Sequence, residues 1–115
     1  MQSGIVFDQV VGAVLVHYRK MADLNQHQAV EGISIGVSSL SRLEKGDYSL
    51  NMEQLFELSG RYGVPMSDMT NSIEQTYANA LRNGVAVETE KKSNTGLLLL
   101  GAAAIAALVI ANKGK

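Results

Sequence analysis

The sequence NQHQAVEGISIGVSSLSRLEKG, residues 25–46, predicts two short helices joined by a tight bend. Asn25 is a favoured N-cap residue, and Gln28 stands where its side chain can reach back to complete a capping box. The first of the two helices is therefore expected to begin directly after Asn25.

The second of these helices is expected to begin after Gly36. Val37, Leu40 and Leu43 recur at intervals of three residues, which places them on one inward face. Gly46 is positioned to end the helix, because glycine readily adopts the left-handed conformation common at helix C-termini. Two helices this short cannot bury their apolar sides alone, so they require partners from the rest of the chain.

Three further helices are predicted around this pair. The first covers about residues 7–21 and carries an apolar stripe at spacings of three and four. The fourth is expected to begin after Asn51, which Gln54 joins in a capping box, and the fifth to be capped by Ser67 and to end at residue 83. The expected core positions are Val10, Val11, Val14, Leu15, Tyr18, Leu55, Phe56, Leu58, Met69, Ile73 and Tyr77.

Residues across this whole region carry the pattern of a known family. From residue 24 to residue 69 the chain resembles, without insertion or deletion, the helix-turn-helix domain of phage repressors and Cro, of the xenobiotic-response-element type. The residues that carry the resemblance are Leu24, Gln26, Glu31, Leu40, Ser41, Arg42, Leu43, Glu44, Gly46, Glu53, Leu55, Leu58, Gly63, Val64 and Met69. The resemblance implies an all-α, five-helix repressor-like domain over about residues 7–70. Ser34 replaces the glycine that the family has in the bend, which suggests a reshaped bend.

The resemblance also implies a DNA-binding face on and around the third helix. In the major groove, Gln can pair with adenine, Arg with guanine, and Ser with either. The residues that the resemblance assigns to DNA are Gln26, Val37, Ser38, Ser39, Ser41, Arg42, Lys45 and Tyr48. Of these, Gln26, Ser38, Ser39 and Arg42 would contact bases, and Lys45 and Tyr48 would contact phosphates. Arg19 and Glu44 occupy positions that imply a structural ion pair between the first and third helices. That the same face is solvated, or binds a protein, remains the alternative.

The distribution of charge weighs against ordinary DNA binding. Up to residue 70 the chain has five Lys or Arg side chains and eight Asp or Glu side chains. Phosphate contacts from basic side chains supply most of the affinity in ordinary protein–DNA complexes. The excess of acidic groups therefore favours a protein-binding role for this domain.

The sequence shows no pattern typical of an enzyme or of a metal protein. It has no cysteine, and its two histidines, His17 and His27, are not part of a metal-ligand motif. It also has no glycine-rich phosphate loop and no arrangement typical of a nucleophilic triad. We therefore expect no catalytic activity, no cofactor and no metal.

An apolar segment follows a polar linker after the predicted domain, residues 1–83. Residues 84–95 lack periodicity and are interpreted as the linker, and residues 113–115 form a basic tail. Residues 96–112, GLLLLGAAAIAALVIAN, carry no charge and as a helix would be about 25 Å long, somewhat shorter than a typical hydrocarbon core. We interpret them as a single transmembrane helix, with a buried helix of an oligomer as the alternative. The predicted membrane anchor residues are Leu97, Leu98, Leu99, Leu100, Ile105, Leu108, Val109 and Ile110.

These features give one principal hypothesis and two alternatives. The principal one is a tail-anchored DNA-binding protein, a dimeric transcriptional regulator that is held by lipid contacts in the cytoplasmic membrane of a bacterium. Its N-terminal domain would lie in the cytoplasm, because the start of the chain lacks a secretory signal. The first alternative is a membrane-bound adaptor that uses the same fold to bind a protein partner. The second is a self-assembling membrane component.

Overall fold

The computed structural model of the chain describes residues 2–82, which form five α-helices and no strand. The helices are α1 Gln2–Met21, α2 Gln26–Ala29, α3 Val37–Lys45, α4 Met52–Tyr62 and α5 Met66–Arg82. The prediction of an all-α helix-turn-helix domain with five helices is thereby confirmed for this part of the chain. Within residues 2–82, no helix is both long and apolar enough to cross a membrane. The predicted linker, the anchor residues Leu97 to Leu100, Ile105 and Leu108 to Ile110, and the basic tail lie outside the described residues.

Both predicted capping boxes are present. The Oδ1 atom of Asn25 accepts a hydrogen bond of 2.8 Å from the backbone N–H of Gln28, whose Oε1 atom accepts one of 2.8 Å from the backbone N–H of Asn25. Asn51 and Gln54 make the same reciprocal pair, at 2.8 and 3.0 Å. Each box satisfies two backbone groups that would otherwise lack partners at a helix N-terminus, so α2 and α4 begin at fixed positions.

Ser34 does not take the left-handed conformation in the bend between α2 and α3. The left-handed residue is Gly32, with φ of +76°, two positions before Ser34. The hydroxyl of Ser34 instead donates a 2.5 Å hydrogen bond to Oε1 of Glu57, which ties the bend to α4. Because the positive φ falls on a glycine, this bend carries no steric cost from a side chain.

The core forms where α1 packs against α3 and α5. Its most deeply buried side chains include Leu15, Leu40, Leu43, Leu58 and Met69. The backbones of α1 and α3 approach so closely at Gly12 that a Cβ atom there would lie 2.7 Å from the carbonyl oxygen of Leu43. The position and tilt of α3 are therefore set by direct contact with α1.

Three details of the prediction were wrong. α1 begins at Gln2 rather than near residue 7. α5 begins at Met66, because the carbonyl of Pro65 already accepts hydrogen bonds from the backbone N–H groups of Asp68 and Met69, so Ser67 lies inside the helix and is not its cap. Phe56 is 66% exposed. It lies about 100° around the helix axis from Leu55, on the side away from the core.

The apolar stripe of α5 folds back on α1. Met69, Ile73 and Ala80 are buried, and the ring of Tyr77 meets that of Phe7 edge to face, with 5.3 Å between centroids. Beside this contact an apolar groove of about 700 Å³ lies between α1, α4 and α5. The buried part of the stripe therefore has its partner within the same chain.

Candidate nucleic-acid interface

An ion pair between Arg19 and Glu44 fixes α3 on α1. Nε of Arg19 lies 2.7 Å from Oε2 of Glu44, and Nη2 lies 3.0 Å from Oε1. Nη1 of Arg19 also donates to the carbonyl of Leu24, 2.9 Å away, just before α2. The side chains are only 12% and 5% exposed. Desolvation offsets much of the attraction in such a pair, so its main effect is to orient the helices.

The hydrogen bonds to Glu44 raise the pKa of Arg19 above its ordinary value, although burial acts in the opposite direction. Burial also raises the pKa of Tyr62 well above that of an exposed tyrosine, and the charge of Glu44 adds to the effect. Near neutral pH, therefore, Arg19 is charged and Tyr62 is neutral.

Gln26, which the family resemblance assigned to DNA, is bonded to the same carboxylate. Its Nε2 atom donates to Oε1 of Glu44 at 2.8 Å, and its side chain is half-buried. The amide nitrogen carries a second hydrogen, which this bond does not use. Glu44 thus joins α1, α2 and α3 through one side chain.

The outward face of α3 carries a short polar stripe. Ser38, Arg42 and Lys45 are exposed and follow each other at spacings of four and three, opposite the buried Leu40 and Leu43. The remaining residues assigned to this helix, Val37, Ser39 and Ser41, are half-buried. Val37 therefore lies at the border of the core. Base contacts from the middle of the helix would come mainly from Ser38 and Arg42.

Tyr48 returns to this stripe after the end of α3. Gly46 is left-handed, with φ of +85°, and the N–H of Asp47 bonds to the carbonyl of Arg42 at 2.9 Å, which turns the chain back along the helix. Nη1 of Arg42 then donates to the hydroxyl of Tyr48 at 2.6 Å, and Cζ of Arg42 lies 5.3 Å from the centroid of the tyrosine ring. Sequence reasoning did not foresee this pair.

The loop that carries Tyr48 is anchored on the other side. The hydroxyl of Ser49 donates a 3.0 Å hydrogen bond to Oδ2 of Asp8, in the second turn of α1. Lys45 and Tyr48, both assigned to phosphate, are exposed at the two ends of the turn.

Across residues 7–82, no three His, Asp or Glu side chains are grouped so that they could hold a metal ion.

Comparisons with known proteins agree on this part of the chain. Residues 16–69 match a family described as helix-turn-helix. The chain is also similar to the cryptic phage CTXphi transcriptional repressor RstR of Vibrio cholerae, with 30% identity over 76 residues. That alignment covers 62% of this chain and 68% of the repressor. No solved structure matches the chain significantly.

Proposed function

Because the chain belongs to the helix-turn-helix family, we propose that it is a DNA-binding transcriptional regulator whose α3 enters the major groove. The observation that carries the proposal is the exposed stripe of Ser38, Arg42 and Lys45 on a helix whose opposite side is fixed by the Arg19–Glu44 ion pair. Because α3 is already held in place, little conformational freedom would be lost when its outward side chains bind DNA.

The proposed contacts fall into two classes. Arg42 and Ser38 would read base edges, because they lie on the part of α3 that faces outward. Lys45, Tyr48 and the second amide hydrogen of Gln26 would meet phosphates, which position the protein without reading sequence. The half-buried Val37, Ser39 and Ser41 would fill the edges of this contact.

The excess of acidic over basic side chains in the domain predicts weak binding to DNA of arbitrary sequence. Few basic groups face the duplex, so few counterions would be released, and the affinity would depend less on salt than in strongly basic domains. We therefore propose that the protein acts as a dimer, since two linked domains on adjacent half-sites bind far more tightly than one.

The remaining part of the proposal concerns the membrane. Residues 96–112 are uncharged and apolar, and they would hold the domain, residues 1–83, at the cytoplasmic face of a bacterial membrane through the linker of residues 84–95. Confinement in this way raises the local concentration of one domain beside another. The absence of charge in this segment is the support for this step.

The test is DNA binding by the full-length protein in a non-ionic detergent. Affinity for a labelled duplex of mixed sequence is measured between about 50 and 200 mM salt. The double variant Arg42→Ala with Lys45→Ala is compared with Lys20→Ala with Arg82→Ala, which removes the same charge from α1 and α5 instead. We expect only the first variant to lower the affinity and the slope of log affinity against log salt concentration. That slope should fall by about 2 if both side chains meet phosphates, and by about 1 if Arg42 meets only a base.

One alternative function has its own support. A membrane-bound adaptor that binds protein through the helix-turn-helix face would explain why the domain has more acidic than basic side chains. It would also use the exposed apolar side chains Met52 and Phe56, one turn apart on α4. Absence of DNA binding at the lowest salt, from protein shown to be folded by circular dichroism, would favour the adaptor over the regulator.

A further inference from the structure

Tyr48 restrains the side chain of Arg42 before any partner is bound. The hydrogen bond from Nη1 to the tyrosine hydroxyl is 2.6 Å long, and the guanidinium carbon lies 5.3 Å from the ring centroid. Both side chains are exposed. Arg42 lies in the last turn of α3, before Gly46, and Tyr48 follows Gly46 in the loop. An exposed arginine normally samples many rotamers, so these two contacts fix a group that would otherwise lose that freedom on binding.

The contact leaves the reading capacity of Arg42 intact. A guanidinium has five N–H donors, and the bond to Tyr48 uses one of them, on Nη1. The edge formed by Nε and Nη2 can still donate two parallel hydrogen bonds to O6 and N7 of a guanine in the major groove. The hydroxyl of Tyr48 accepts from Arg42 and keeps its own hydrogen, which can be donated to a phosphate oxygen.

Neighbouring contacts hold Tyr48 itself in place. Gly46 turns the chain through a conformation that other residues rarely adopt, and a Cβ atom there would lie 2.8 Å from Cγ of Gln9. On the other side of Tyr48, Ser49 is bonded to Asp8 at 3.0 Å. The tyrosine is therefore carried by a loop that α1 fixes at both ends.

We propose that Tyr48 is a positioning residue, which holds Arg42 in the orientation that reads one guanine in each half-site. This inference rests on the proposed DNA-binding function. It gives Tyr48 a role in sequence discrimination, in addition to the phosphate contact that its place in the fold suggests. Removing only its hydroxyl should therefore weaken the preference for guanine, whereas the loss of a phosphate contact alone would weaken binding to DNA of any sequence equally.

The experiment begins with selection from a pool of random duplexes by the full-length protein in non-ionic detergent. Wild type, Arg42→Ala, Tyr48→Phe and Tyr77→Phe are carried through in parallel. Tyr77→Phe is the matched control, because it removes a tyrosine hydroxyl on α5, beside Phe7 and away from α3. The guanine position that disappears from the selected sequence with Arg42→Ala identifies the base that Arg42 reads.

Affinity is then measured for the selected duplex and for the same duplex with 7-deazaguanine at that position, which lacks the N7 acceptor. Wild type and Tyr77→Phe should discriminate between the two by about tenfold. Tyr48→Phe should discriminate by about threefold or less. Its affinity for mixed-sequence competitor DNA should fall by about two- to tenfold through the lost phosphate contact, which weakens both duplexes equally and so leaves the discrimination ratio as the readout of Arg42. Its thermal unfolding should match that of wild type, because Tyr48 is exposed.

Two results would overturn the inference. Tyr48→Phe with unchanged discrimination would show that the hydroxyl does not position Arg42, and increased discrimination would show that the contact competes with guanine. Either result leaves the proposed function standing, because the wild-type protein would still select a sequence. Failure of wild type to bind any duplex would overturn both the inference and the DNA-binding function.

Discussion

Gly12 of α1 lies directly against the carbonyl oxygens of Leu43 and Glu44, near the C-terminal end of α3. No side chain separates the two helices at this point, so their spacing is the contact distance of two backbones. The side chain of Glu44 also bonds to Arg19, which lies about two helical turns after Gly12 on α1. The crossing of α1 and α3 is thus fixed at two neighbouring points.

Gly12→Ala is expected to destabilise the fold, although alanine is the better helix former. A methyl group would overlap the carbonyl oxygens of α3 and force the helices apart, at a cost of about 1–3 kcal/mol. Gly60→Ala is the matched control, since nothing lies within 4 Å of a Cβ atom at that position in α4, and should stabilise by about 0.5–1 kcal/mol. Urea unfolding measures both. Changes of the same sign would contradict the close contact.

Arg19→Met should destabilise the domain by about 3–5 kcal/mol, because it leaves the carboxylate of Glu44 buried without its cation. The double variant Arg19→Met with Glu44→Leu removes both charges, and should recover a large part of that loss. A double-mutant cycle in urea gives the coupling energy. If the double variant lost as much as the sum of the two single variants, the pair would contribute nothing as a unit.

Phe56→Ala should change the free energy of unfolding by less than about 0.5 kcal/mol, since the side chain is largely exposed. Leu58→Ala, two positions along the same helix, removes a fully buried side chain and should cost about 2–5 kcal/mol. Thermal and urea unfolding distinguish the two. A comparable loss at both positions would mean that a second copy or another segment covers Phe56 in solution.

Membrane anchoring can be tested with a single charge. Ala104→Arg places a guanidinium in the middle of residues 96–112, which costs about 2.5–3.5 kcal/mol for insertion at the centre of a helix. Ser93→Arg adds the same charge in the linker and should have no effect. We expect wild type and Ser93→Arg in carbonate-washed bacterial membranes and Ala104→Arg depleted from them. Wild-type protein in the soluble fraction would contradict the anchor.

Local features of the fold could be predicted from the sequence, because they depend on residues close together in the chain. Asn25 with Gln28, and Asn51 with Gln54, form their capping boxes within a single turn of helix. The end of α3 at Gly46 is likewise a property of one residue and its neighbours. In each case the hydrogen-bonding groups that meet belong to residues within a few positions of each other in the chain.

The details that sequence reasoning missed depend on how distant elements meet. Phe56 follows a buried leucine, and only the direction from which α1 and α5 cover α4 decides that it faces away. The contact between Arg42 and Tyr48 crosses a helix end, where no periodicity applies. An arginine in the last turn of a helix and a tyrosine two residues after its terminal glycine are the only signal that would have suggested it.

The bend between α2 and α3 is not the only connection between these helices. Gln26 at the start of α2 is bonded to Glu44 near the end of α3, so residues 26–44 form a ring closed by a side-chain hydrogen bond. A ring of this kind opposes any opening of the angle between the two helices, whatever the composition of the bend. Substitutions of the exposed bend residues should therefore leave this angle in place, except at Gly32, whose left-handed conformation other residues rarely adopt, whereas Ile35 is buried in the core.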